Sequence, residues 1–184
     1  AELADEFSGL RRSTPMTTTD ERENAMTAVT TCLWFDGNAE EAARFYTSVV
    51  KNSKITGIVP RPPGMPGPQD APVLVTFELN GQKFMGLNGG PEFQFNEAVS
   101  IHLTCDSQEE IDELWSKLTA DGGEEGPCGW VKDKYGLSWQ IDSRELLNML
   151  ASDDKEAASR ATQAMLGMKK LDIQALRDAY EGKA

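Results

Sequence analysis

Two stretches of this chain, Val29 to Leu87 and Ala98 to Ile141, run through the same order of strand, capped helix and further strands without obvious sequence identity. A repeated unit of this kind constrains the fold more than any single motif. Strands that are apolar on one side must be covered, and the helix within each unit is the element at hand to cover them. In the first unit, VTTCLWF at Val29 to Phe35 is rich in β-branched and aromatic residues and stops at Asp36-Gly37, as a strand entering a turn does. Asn38 stands where a helix N-cap belongs, ahead of Glu40 and Glu41, with Ala42, Phe45, Tyr46 and Val49 at helical spacing. Lys54 to Val59 reads as a second strand. Val73 to Leu79 and Gln82 to Leu87 flank Asn80-Gly81, the signature of a hairpin. Between them, Pro60 to Pro72 holds too many prolines for regular structure, and a loop of that length points to a functional role such as a lid.

The second unit opens with the strand Ala98 to Cys105. A helix from Ser107 carries Ile111, Leu114, Trp115 and Leu118 on one face and ends at Gly122-Gly123. Strands at Gly126 to Val131 and Leu137 to Ile141 follow, joined by the polar turn Lys132 to Gly136. Beyond these, Glu145 to Leu150, Lys155 to Met168 and Leu171 to Tyr180 read as helices, the middle one with an alanine and methionine face that needs a partner surface. The expected organisation is a polar leader over residues 1–26 that orders only by docking, a paired domain over 27–150 and a helical extension over 151–184.

Composition narrows the partners. A net charge of −12, from 30 acidic and 18 basic side chains, repels phosphate backbones and anionic lipid, so neither nucleic acid nor a membrane is an expected partner. No run approaches the roughly 18 apolar residues of a spanning helix and no signal pattern opens the chain, so a cytoplasmic location is expected. Cys32, Cys105 and Cys128 are odd in number and lack C-x-x-C spacing, which predicts free thiols, not a disulfide framework or zinc site.

Four strings, LWFDGNAEEAARFY at Leu33 to Tyr46, LNGGPEFQFNEAVS at Leu87 to Ser100, CDSQEEIDELW at Cys105 to Trp115 and CGWVKDKYGLSWQI at Cys128 to Ile141, together resemble the PhnB-like subgroup of the glyoxalase/bleomycin-resistance/dioxygenase, or vicinal oxygen chelate, superfamily. The closing MLGMKKLDIQALRDAYEG resembles it too, so the likeness spans roughly residues 27 to 182. The resemblance implies an α+β fold in which two tandem βαβββ modules form a cupped mixed sheet, followed by the helical extension. It also implies a homodimer and a small-molecule ligand or substrate in the cup. Members often carry a demethylubiquinone 3-methyltransferase-like label. A methyltransferase using S-adenosylmethionine presents a Gly-rich turn between a strand and a helix, and neither Gly89-Gly90 nor Gly122-Gly123 is placed for that.

In the wider superfamily a divalent metal is held by His, Glu or Gln on equivalent strands. Transferred residue by residue, those positions fall on Thr31, Ser100, Gln140 and the vicinity of Met85. The set is degenerate, so no cofactor is expected, and a divalent metal stays open only through the weak carbonyl of Gln140. Alternation puts Ser100, His102 and Thr104 on one strand face, which the resemblance implies lines the cup. His102 is then the candidate catalytic base, because imidazole titrates near neutral pH, with Ser100 or Gln140 as its orienting partner. Against this stands His102 as an ordinary strand residue, since no second catalytic motif accompanies it. Thr31, Ser100, Trp130 and Gln140 are the candidate ligand contacts. Trp34 and Trp139 are read as core residues facing the helices. The function expected is binding, with or without transformation, of a small organic molecule without a conventional chelated metal. The alternatives are a non-catalytic ligand-sequestering protein like the bleomycin-resistance members, a methyltransferase as the label says, and a metal-dependent lyase or dioxygenase.

Overall fold

A computed structural model describes residues 28–183. The leader expected over 1–26 lies outside them. Strand β1 (Thr31–Phe35), helix α1 (Ala39–Val49) and strands β2 (Lys54–Val59), β3 (Leu74–Leu79) and β4 (Gln82–Asn88) make the first module. Strand β5 (Ser100–Cys105), helix α2 (Gln108–Leu118) and strands β6 (Glu124–Glu125), β7 (Trp130–Lys132) and β8 (Ser138–Ser143) make the second. Helices α3 (Arg144–Leu150), α4 (Lys155–Leu166) and α5 (Ile173–Tyr180) complete the chain. The fold is α+β with two βαβββ modules, as expected. The short β6 is the strand that sequence patterning does not reveal, because two glutamates carry no alternation.

Each module closes its own mixed sheet, in the orders β1-β4-β3-β2 and β5-β8-β7-β6. Within each, the first strand runs parallel to the last and the remaining pairs are antiparallel. The single cupped sheet expected from the sequence is thus divided in two within one chain. The reason is how the modules meet. Tyr46 of α1 packs on Phe77 of its own sheet and, at 5.2 Å between ring centroids, on Trp139 of the other. The helix-covered faces therefore abut, and β1 and β5 each keep one edge unpaired among the described residues.

The helix starts are fixed by side chains from near and far. Ser107, Ser143, Asp154 and Asp172 each accept from the backbone N–H three residues ahead, capping α2, α3, α4 and α5. Asn38 makes no such bond. Instead the carboxamide oxygen of Asn88, at the end of β4, accepts from Ala39 N at 2.9 Å. The same side chain donates to Pro72 O at 2.8 Å. Arg61 donates from its guanidinium to Pro66 O and to Asn88 O. These bonds pin the proline-rich segment to the rim of the first sheet.

The tail helices pack on the second module. Leu171 is 1% exposed and sits over Gly129, whose φ of +81° and crowding by Ile141 O leave no room for a side chain. The methionine and alanine face of α4 thus finds its partner surface partly within the chain, with Met165, and Met168 just past the helix end, against the core. Among the described residues no helix is long and apolar enough to cross a membrane.

Candidate functional site

Strand register arranges the side chains of the second sheet in rows. In β8, Trp139 and Ile141 are fully buried toward the helices, which sends Ser138, Gln140 and Asp142 to the opposite, open face. Pairing then fixes three rows across that face. Glu124, Lys132, Ser138 and Ser100 form the first, Trp130, Gln140 and His102 the second, and Asp142 and Thr104 the third. Four of the five residues singled out from the sequence, Ser100, His102, Trp130 and Gln140, are thereby brought together.

The polar groups on this face are already oriented. Gln140 Nε2 donates to Ser100 Oγ at 2.8 Å, which turns the amide oxygen away from the serine. His102 Nε2 lies 3.4 Å from Asp142 Oδ2, a long contact that suits a histidine held loosely beside a carboxylate. Such a pair could accept a proton from a molecule lying on the face. Trp130 is half-buried and stands next to Gln140.

Thr31 is not brought to this site. It lies in the other sheet, in register with Phe84 and, through it, Phe77, both buried toward α1. Leu33 and Phe35 share that phase, so Cys32 and Trp34 take the open face of the first sheet, together with Met85 and Leu87. The core reading of Trp34 is corrected accordingly. Its indole donates to Gly90 O at 2.8 Å, stacks edge-on against Phe93 at 5.0 Å, and covers Gly89 so closely that a Cβ there would meet the ring at 2.3 Å. Trp139 is the core residue expected, with its indole donating to Asp133.

Asp133, read as part of a polar turn, is 3% exposed and organises the junction of the modules. Its carboxylate accepts from Trp139 Nε1 at 2.8 Å, Tyr135 N at 2.8 Å and Leu137 N at 3.1 Å. Burial nonetheless raises its pKa above the ordinary value, against the pull of those donors. Tyr135 and Lys134 from the same turn reach across to Glu41 of α1, at 2.7 and 3.1 Å, and hold that carboxyl below its usual range. No period-based reading finds this junction, but the D-x-Y-G string inside an otherwise apolar strand pair was its signal.

A groove of about 510 Å³ runs along the free edge of β5, between the modules. Its charged groups are paired, Lys51 with Glu110 at 2.7 Å and Arg144 with Asp106 at 2.6 Å, so it presents backbone more than unsatisfied side chains. His102 and Thr104 border both the groove and the open face.

The residues at the superfamily's metal positions do not fit a divalent cation. Ser100 and Gln140 are neutral and bonded to each other, while Thr31 and Met85 belong to a different sheet and to opposite faces of it. Among the described residues no three His, Cys, Asp or Glu side chains converge. Nor do the glycine pairs fit the cradle of S-adenosylmethionine. Gly89 lies under Trp34, and Gly123 is wedged against Leu118 O, where a Cβ would come within 2.3 Å.

The chain matches the family described as 3-demethylubiquinone-9 3-methyltransferase over residues 27–142. Among solved structures it is similar to the PhnB protein of Bacillus cereus, with 38% identity over 64% of this chain and 99% of that one and a TM-score of 0.58. It is also similar in fold to protein PA1353 from Pseudomonas aeruginosa, with 20% identity over 64% and 98% of the two chains and a TM-score of 0.54. A glyoxalase/bleomycin resistance protein from Albidiferax ferrireducens T118 is more distant, at 14% identity over 62% and 96% of the chains and a TM-score of 0.43. No curated protein matches.

Proposed function

The chain belongs to the 3-demethylubiquinone-9 3-methyltransferase family, the PhnB-like group, and from that premise we propose that it binds a small organic molecule on the open face of its second sheet. The observation that carries this reading is the convergence of Ser100, His102, Gln140 and Trp130 on one face, with Gln140 oriented by Ser100 and His102 beside Asp142. An indole, an outward amide oxygen and an imidazole are the mixture of apolar wall and few fixed polar groups that small-molecule sites use.

A homodimer completes the site in this reading. The open face of the first sheet is the more apolar of the two, with Cys32, Trp34, Met85 and Leu87, and the β1 and β5 edges are free to pair with a second copy. The apolar face of one copy would then close over the polar face of the other. Cytoplasmic location accords with the absence of a spanning helix among the described residues. Non-catalytic sequestration is the second reading, favoured by the loose His102–Asp142 contact. Methyl transfer finds no support in the glycine turns, and metal-dependent lyase or dioxygenase chemistry none in the donor set.

A fragment screen read by backbone amide and indole N–H shifts tests the proposal. Hits are expected to move the signals of Ser100, His102, Gln140 and Trp130 together. Hits confined to the tail helices α3 to α5 would overturn it. His102→Ala then separates the two forms of the reading, since unchanged binding with lost turnover of a bound compound marks catalysis, and binding without turnover in either protein marks sequestration.

A further inference from the structure

The open face of the first sheet sets two sulfur side chains in register. Cys32 of β1 and Met85 of β4 are direct partners in the parallel ladder. Leu33, Phe35, Phe84 and Gly86, which alternate with them, are buried toward α1, so both sulfur side chains stand on the side turned away from the helix. Cys32 is exposed there and Met85 is partly covered.

The neighbouring rows suit a soft ion and not a hard one. Thr76 continues the row beyond Met85, but its hydroxyl is bonded to that of Thr56 at 2.9 Å. One adjoining row is Trp34, Leu87 and Leu74, which offers no oxygen ligand from a side chain. The other holds Glu78, which lies in register with Lys83 and is paired with Lys54 at 3.5 Å. Calcium, magnesium and similar cations need several oxygen ligands, whereas thiolate and thioether sulfur select soft ions such as copper(I). Distance agrees with this chemistry. Adjacent strands lie about 4.8 Å apart, and an ion midway between two sulfurs, with metal–sulfur bonds of about 2.3 Å, spans about 4.6 Å.

We propose that Cys32 and Met85 form a site for a soft monovalent ion of the copper(I) and silver(I) class, held in line between a thiolate and a thioether. As the metal–sulfur bond forms, the Cys32 thiol releases its proton to solvent, while Met85 gives a lone pair and keeps its charge. Partial burial raises the Cys32 pKa, so the thiol is protonated at neutral pH and must lose that proton to bind. Affinity should therefore fall about tenfold for each unit by which pH is lowered. The site lies on the other sheet from the binding face proposed above and does not depend on it.

The test is a titration of the reduced full-length protein with silver nitrate in a chloride-free buffer. The readouts are the Met85 side-chain methyl signal, identified by its loss in Met85→Leu, and the mass of the native complex. The first equivalent is expected to move that methyl signal, with one silver bound and one proton lost per chain. Cys32→Ser should leave the signal still. Met85→Leu nearly conserves side-chain volume and should weaken silver binding by roughly tenfold or more, read by competition with a soluble thiol. Zinc at the same excess should not move the signal. Each variant is checked for the wild-type spectrum elsewhere. Silver affinity unchanged in Met85→Leu would overturn the inference, since Cys32 would then bind alone. So would a first equivalent taken by Cys128 with the Met85 methyl unmoved, or a zinc response equal to that of silver. None of these results would bear on the binding face of the second sheet.

Discussion

Asp133 carries a carboxylate into a site where water is excluded and three N–H donors take water's place. Replacing it with alanine strands all three donors in the junction between modules, and an expected loss of about 3 kcal/mol follows from that desolvation. Urea denaturation checks this as a lower midpoint at unchanged slope. Ser138 is the opposite case. Its hydroxyl has no partner to lose, so Ser138→Ala should raise the stability of the protein by about 1 kcal/mol. A fall in stability would mean that the hydroxyl is satisfied after all. Burial, reinforced by the nearby Glu110, Asp106 and Asp142, pushes the Cys105 thiol up to about 12, so it should resist alkylation at neutral pH in the folded protein. At this scale alternation was legible where one strand face is polar, as with Ser100, His102 and Gln140. It failed in TCLWF, where Cys32 and Trp34 are as apolar as Leu33 and Phe35 and only the packing of α1 decides the phase.

Elements here are held by groups distant in sequence. Asn88 stands 49 residues from the helix whose first N–H it caps. Local patterning credits Asn38, since the chemistry of the cap is the same and only the three-dimensional partner differs. Asn88→Ala removes both that cap and the anchor on Pro72, and about 2 kcal/mol of destabilisation is expected, with faster proteolysis within residues 60–72. If the loop resists cutting as before, Asn88 does not anchor it. The junction between α1 and the Asp133 turn adds a pH dependence. Tyr135 and Lys134 lower the Glu41 pKa in the folded state, so the pair's contribution is present above the ordinary carboxylate value and is lost as pH falls through the lowered one. Tyr135→Phe should flatten that acid limb without altering stability near neutral pH beyond the loss of one exposed hydrogen bond.

The molecule as a whole leaves the edges of both sheets and two open faces unaccounted for within one chain. The strand, helix and hairpin order was legible because each unit repeats its turn and capping signals. The division into two sheets was not, because it depends on the aromatic contacts of Tyr46 with Trp139 and Tyr135, which no local pattern encodes. A dimer is expected by sedimentation velocity. Charging the exposed Val99 ahead of the β5 edge, as Val99→Lys, should shift it toward monomer while the fold persists. The most direct test of the account is a crystal structure after soaking with small aromatic fragments. It is expected to place a fragment on the open face of the second sheet, between Trp130 and the Ser100–Gln140 pair. Fragments bound only in the intermodule groove beside Lys51 and Glu110, with that face empty, would contradict it.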